Sequence, residues 1–382
     1  MLVSVVSYAW TINTAVEGAV LHGKWNEVID MLEKDSTTAD DPIAIFLAGH
    51  ACVAMSRNND AVELFESVKG GAAVALWAEW TTSLSDRYPH NPIALYLLAD
   101  AKARLGEMEE AIDGFTQALQ IEQNFALAFD ARGKVYDDKG EYDQAIFDYT
   151  KAIEANPAHV AAYFNRGYVY ATGKGLYYRA IEDYDKAVDL DPSYAKAYNN
   201  RGVAYNRIGQ YDLAIADYSQ ALLINPRYAK AYSNRGATYN KLGQYDLAIT
   251  DYDEAIALNS DYAEAYNNRG VAYKQKGRYT QIEAEYHYAL AVGTNQTDSS
   301  KGAVGICDYL GHYEHAICDF DTALELDPEY AAAYFNKGNA CCYLGRFQDA
   351  IDAYSAFIKY ATPEYARYIK GVKYQIRKLR RK

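Results

Sequence analysis

The chain has 382 residues, 50% of them hydrophobic and 23% charged, and a formal net charge of −13. This is a globular composition, which excludes a disordered chain. The acidic excess argues against general binding to nucleic-acid phosphates, which needs clustered Lys and Arg, and no apolar run is long enough to span a bilayer.

Met1–Val16 is mildly apolar with no basic stretch before it, so it predicts a packed helix rather than a secretory signal. His22–Met31 reads as a turn followed by a helix, and Pro42–Val68 as a helix–turn–helix with small residues at Gly49 and Ala61. Ala73–Arg87 reads as a lone spacer helix carrying Trp77 and Trp80. Residues 1–91 are therefore expected to hold two degenerate units and a spacer.

From Pro92 a regular period takes over. Ala195–Tyr228 reads AKAYNNRGVAYNRIGQYDLAIADYSQALLINPRY and Ala229–Tyr262 reads AKAYSNRGATYNKLGQYDLAITDYDEAIALNSDY, matching at 21 of 34 positions without a gap. The same frame divides the chain into eight units, 92–125, 126–159, 160–194, 195–228, 229–262, 263–296, 297–330 and 331–364, and Val160–Tyr194 is one residue longer at its Gly173–Gly175 turn.

Each unit reads as two helices. In Ala195–Tyr228, Tyr198, Gly202 and Tyr205 share one helical face. Gly209 ends that helix, because glycine tolerates the left-handed conformation that follows a helix. Ala214, Tyr218 and Ala221 line the second helix until Asn225-Pro226 stops it. Small residues at Gly202, Ala214 and Ala221 predict close helix approach. The 38 tyrosines follow the period, as in Tyr198, Tyr205, Tyr211, Tyr218 and Tyr228 against Tyr232, Tyr239, Tyr245, Tyr252 and Tyr262, so most read as packing residues.

These residues resemble the tetratricopeptide repeat family over about 92–364. The resemblance implies an all-α fold, a right-handed superhelical α-solenoid of helix pairs, with a concave groove lined mainly by first helices. It also implies a protein-interaction scaffold rather than an enzyme. Two units depart from the pattern. Ile282 replaces the second-helix Ala in 263–296, and the first helix of 297–330, TDSSKGAVGICDYLG, lacks the aromatic and holds Gly302 and Gly305. That helix is expected to be short, loose or bent, with a weak joint over Ser299–Tyr309. Tyr365–Lys382 reads as a basic C-terminal capping helix, and its tail leaves a nucleic-acid-associated adaptor as the alternative function.

No phosphate-cradling glycine loop, nucleophile elbow or zinc-protease motif occurs. His312, His315 and Cys318 lack the four converging ligands of a zinc site. No cofactor or metal is expected. Cys52, Cys307, Cys318, Cys341 and Cys342 fall in helical patterns and fit a reducing, cytoplasmic setting.

Two polar columns follow the repeat. Arg132, Arg166, Arg201, Arg235 and Arg269 precede the first-helix glycine, and Asp148, Asp183, Asp217, Asp251 and Glu285 precede the second-helix aromatic of the same five units. They predict a ladder of bidentate ion pairs. Asp319 stands in 297–330 opposite Ala303, without an arginine of its own.

Asn165, Asn200, Asn234, Asn268 and Asn336 form the second column, interrupted in register at Gly302. An amide carries both donor and acceptor, so a row of them can hold an extended peptide backbone without reading its sequence. The column is similar to the asparagine ladder in the repeat region of the O-linked N-acetylglucosamine transferases, which implies peptide binding, although no transferase domain follows here. Lys196, Asn199, Asn206, Lys230 and Asn240 would add side-chain selectivity. The same amides can instead tie adjacent first helices together. The expected partners are proteins or peptide segments, and the ends of a solenoid also allow self-association.

Overall fold

The computed structural model describes residues 14–34, 41–55, 64, 67–68, 71–293 and 299–381, and gives only helical backbone for 283–293 and 299–308. Ala61 and most of Met1–Val16 lie outside the described residues, and Glu285, Ala303 and Cys307 outside the described side chains. Among the described residues there are helices and no strands, in an all-α solenoid. The chain divides into two compact units, Met1–Leu213 and Ala214–Lys382.

The first unit contains α1 (Thr14–Leu21), α2 (Trp25–Lys34), α3 (Pro42–Ala54), α4 (Gly71–Arg87), α5 (Pro92–Arg104), α6 (Met108–Ile121), α7 (Ala126–Asp138), α8 (Tyr142–Ala155), α9 (Val160–Thr172), α10 (Tyr177–Leu190) and α11 (Ala195–Arg207). From α5 to α10 the helices pack as antiparallel hairpins, α5 with α6, α7 with α8 and α9 with α10. The hairpins hold because each crossing is made by the smallest residues. Ala111, Ala145 and Ala180 are wholly buried where the second helices cross. A Cβ on Gly133 would lie 2.9 Å from the Tyr149 ring, and one on Gly167 3.1 Å from the Tyr184 ring. The repeated tyrosines are core residues, as Tyr149 and Tyr184 are 1% exposed.

Successive hairpins are joined by Asx turns, in which a side-chain carbonyl or carboxylate accepts the N–H two residues on. Asn156 accepts from Ala158 and Asp191 from Ser193 in the first unit, and Asn225 from Arg227, Asn259 from Asp261 and Asp327 from Glu329 in the second. The turns within hairpins use glycine at φ between 70° and 81°, at Gly106, Gly140, Gly209, Gly243 and Gly345.

α4, the spacer helix of the sequence reading, packs on α3 and α5. Trp77 is wholly buried, and its ring stacks on Phe46 of α3 at 5.2 Å and on Trp80 at 5.4 Å. Its indole N–H donates to Asp100 of α5 at 3.2 Å.

The second unit follows α12 (Tyr211–Ile224) with α13 (Ala229–Lys241), α14 (Tyr245–Leu258), α15 (Ala263–Gly293), α16 (Ser299–Leu326), α17 (Ala331–Tyr343), α18 (Phe347–Tyr360), a short 3-10 turn (Pro363–Tyr365) and α19 (Ala366–Leu379). Here the expected units 263–296 and 297–330 do not form as separate hairpins. α15 runs 31 residues and α16 28 residues, straight through the positions where turns were expected. Gly277 is absent from the positive-φ glycines and is used for close approach instead: a Cβ there would lie 3.1 Å from His312 Cβ and 3.2 Å from the Tyr309 carbonyl oxygen.

The physical reason lies in the residues flanking the expected turns. A second helix needs alanine at the crossing, and 263–296 offers Ile282, which is 55% exposed. The start of α15 therefore takes the second half of α16, where Ala316 and Phe320 are wholly buried. A Cβ on Gly270 would lie 2.8 Å from the Phe320 ring. The remaining lengths, Arg278–Gly293 and Ser299–Gly311, continue the two helices past this crossing. Ser299–Tyr309, expected to be loose or bent, belongs to the one continuous helix α16.

α19 closes the second unit by burying Val372, Ile376 and Leu379 and leaving its basic residues exposed. Gly371 sits in the middle of this helix, and a Cβ added there would meet nothing within 4 Å. Gly371→Ala is therefore expected to stabilise the cap by up to about 1 kcal/mol, since it removes backbone freedom from the unfolded chain at no steric cost. A rise in hydrogen-exchange protection confined to α18 and α19 checks it.

Candidate functional site

The arginine column forms a ladder on the inside of the hairpins. Arg132 donates to both oxygens of Asp148 at 2.7 and 2.8 Å, Arg166 to Asp183 at 2.9 and 2.7 Å, and Arg235 to Asp251 at 2.8 and 2.7 Å. The third nitrogen of each reaches the preceding second helix: Arg132 to Thr116, Arg166 to Thr150, Arg201 to Asp185, Arg235 to Ser219 and Arg269 to Asp253. The guanidinium groups of Arg132, Arg166 and Arg235 thus tie neighbouring hairpins together as well as closing their own. Burial alone would lower the arginines, but the bonds to aspartate hold Arg132 and Arg166 above their ordinary values. Burial pushes Asp148, Asp183 and Asp319 up against the pull of their arginines.

One rung differs from the sequence expectation. Arg269, set by the sequence against Glu285, pairs with Asp319 at 3.0 and 2.7 Å across a separation of 50 residues, where Arg132 and Asp148 are 16 apart. The arginine of one expected unit and the unmatched aspartate of the next complete each other, because α15 pairs with the far half of α16.

The amide column is partly used up in structure. In the first unit Asn165 donates to Asp130 of the preceding first helix at 3.0 Å. Asn200 accepts from Asn199 at 3.1 Å. Asn199, named among the selectivity positions, is wholly buried beneath it. Lys196 and Asn206 are half-buried on α11.

In the second unit Asn234 and Asn268 are half-buried, and Asn268 accepts from Asn267 at 3.3 Å. Asn336 donates to Asn267 at 3.2 Å and accepts from the Lys274 ammonium at 2.9 Å. The gap expected at Gly302 is therefore closed, since α17 packs directly against the first part of α15. Lys230 is exposed on α13, and Asn240 holds a buried side-chain oxygen without a hydrogen-bond partner.

Sequence reasoning missed the polar cluster that replaces the ladder in 92–125. Asp100 accepts from His50 at 3.1 Å, Trp77 at 3.2 Å and Arg104 at 2.6 Å. Burial works against its charge, yet Arg104 and His50 hold the carboxyl well below the usual range. It ties α3, α4 and α5 together. No period marks it, because each member occurs once. Among the described residues no group of His, Cys, Asp or Glu is placed to hold a metal, and no helix is long and apolar enough to cross a membrane.

Comparison with known proteins agrees with this architecture. Tetratricopeptide repeat models match residues 71–126, 131–195 and 308–366, residues 195–228 and residues 218–250, and a further TPR repeat model matches 238–277. These matches leave 278–307 uncovered, a stretch that includes the end of α15 and the start of α16. No curated protein matches the chain. Among solved structures, the APC/C hetero-tetramer Cut9–Hcn1 is 18% identical, with a TM-score of 0.54 over 84% of this chain and 52% of that one, a likeness of fold alone. MamA is 28% identical over 54% of this chain and 93% of that one, with a TM-score of 0.40. A tetratricopeptide repeat protein from Parabacteroides merdae ATCC 43184 is 18% identical over 79% of this chain and 99% of that one, with a TM-score of 0.46. Proteins built this way are generally non-enzymatic and bind protein partners. The period, the buried small-residue crossings and the family matches together identify the chain as a member of the tetratricopeptide repeat family.

Proposed function

We propose that the chain is a non-enzymatic scaffold that holds an extended segment of a partner protein along the first helices α13, α15 and α17 of its second unit. The observation that carries this reading is the bond from Asn336 to Asn267, which makes the amide column contiguous from α15 to α17. Asn234 on α13, Asn268 on α15 and Asn336 on α17 then lie on successive neighbouring helices. A half-buried amide that already makes one bond still has donors and lone pairs to offer a passing backbone.

The test starts from random 12-residue peptides displayed on phage and selected on the full chain. Asn234→Ala combined with Asn268→Ala should weaken the selected peptides at least tenfold, about 1.4 kcal/mol, while the melting temperature moves by less than about 3 °C. Asn336→Ala is a contrast, because it strands Lys274 and Asn267 and should cost stability as well, about 1–2 kcal/mol. Unchanged peptide affinity in the double variant would show that these amides only tie helices together.

A further inference from the structure

Some cations on and just after the first helices of the second unit have carboxylate partners. Lys276 pairs with Asp246, Lys337 with Asp321 and Arg346 with Glu314. Lys274 and Arg278 are different: no carboxylate of the described residues pairs with either. Both line a cavity of about 230 Å³ with Gln275, Asn339 and Tyr343. Lys274 is half-buried, and its one hydrogen-bond partner among these groups is the neutral Asn336 carbonyl, at 2.9 Å. Burial, with no opposing charge, pushes its amine down to about 8. At pH 7 most molecules therefore still carry a poorly compensated charge facing this cavity.

The cavity exists because α15 does not turn at Gly277. In hairpins that turn, the chain leaves the helix at Gly209 or Gly243. Here the helix continues, and Arg278 stands one turn beyond Lys274 on the same face, at i, i+4. The rest of the lining is held in place. Asn339 accepts from the Tyr354 hydroxyl at 2.8 Å, and the Tyr343 ring stacks on Tyr313 at 4.8 Å.

We infer that this cavity is a carboxylate-binding subsite, formed by Lys274, Arg278 and Asn339, which takes the acidic side chain of a segment docked on α15 and α17. The inference rests on the proposed peptide-binding role for its source of carboxylate. The ammonium and guanidinium supply charge-assisted donors, the Asn339 amide adds a neutral one, and the lysine that is costly to bury unpaired gains its counter-charge on binding.

The probe is N-acetyl-glutamate amide, with N-acetyl-glutamine amide as its neutral isostere and inorganic phosphate as a third arm. Each is titrated into the 15N-labelled full chain at pH 7 and followed by amide chemical shifts. The expected result is saturable shifts at Lys274, Arg278, Asn339 and Tyr343 with the glutamate probe and none with the glutamine probe. Lys274→Met should abolish them. Arg278→Gln, a change at an exposed residue that leaves the fold intact, should weaken them severalfold. Equal shifts from the glutamine probe, no saturable shift, or shifts from phosphate alone would each overturn the assignment. The Asn234→Ala, Asn268→Ala variant keeps this subsite, so it should lose selected peptides yet retain the glutamate shifts. A failure of the peptide reading is thereby separated from a failure of this one.

Discussion

Deleting Arg278–Gly311 should leave a chain that folds, melts cooperatively within about 5 °C of the full-length protein, and keeps its ion-pair ladder. The junction joins Gly277 to His312 and brings Arg269 and Asp319 to the separation of 16 residues seen for Arg132 and Asp148. Gly270 keeps Phe320 as its partner, and Ala316 keeps its buried crossing position. Gly277 is then free to adopt the left-handed turn found at Gly209 and Gly243. The comparison is a deletion of equal length, Thr297–Tyr330, which removes the unit that the bare period marks out. That chain must close its hairpin with Ile282 where Ala316 now sits, and overpacking of this kind costs about 1–3 kcal/mol. Thermal melts of the two deletions side by side decide the matter. Equal stability, or a more stable Thr297–Tyr330 deletion, would mean that the long hairpin is not an extension of one repeat.

Asp319→Ala should destabilise the second unit by about 2–3 kcal/mol, while Glu285→Ala stays within about 0.5 kcal/mol of the parent. Asp319 is 5% exposed and holds Arg269 in two bonds, so its loss leaves a guanidinium short of its principal partner. The cost falls below that of a fully buried pair because Arg269 keeps Asp253 at 2.5 Å and some access to water. Adding Arg269→Met to Asp319→Ala should recover part of the loss, since the stranded charge goes with it. Urea unfolding of the three variants measures this. A larger effect at Glu285 than at Asp319 would restore the pairing within the expected unit 263–296.

The two experiments turn on the one region where local pattern and tertiary contact disagree. The period itself was legible residue by residue, because a stacked hairpin must repeat the same small-residue crossings and buried tyrosines. Gly133 against Tyr149 and Gly167 against Tyr184 are instances of one contact. The arginine ladder was legible for the same reason, as its members recur in step with the helices they join. The buried cluster around Asp100 was not, since His50, Trp77 and Arg104 come together only through the packing of α3, α4 and α5. The amide column was visible as a row of residues, but its use was not. Whether Asn165 faces Asp130, or Asn336 faces Asn267, depends on which first helices become neighbours.

Outside 263–330, the amino-acid sequence by itself determined the helices, the period and the glycine turns of the regular repeats, and with them the family, because each of these is set by residues within one or two helical turns of each other. Only the tertiary structure decided what happens between Ala263 and Leu326. The spacing of Gly277 and Gly311 is that of a turn, and either glycine can make one. Neither does: α15 packs against Ala316, Asp319 and Phe320, which are buried, while Ile282 stays 55% exposed. That choice compares two long-range pairings of the same helix, and no local pattern records which is the better packed. It also sets Arg278 beside Lys274 and α17 beside α15, and so shapes the surface proposed to bind.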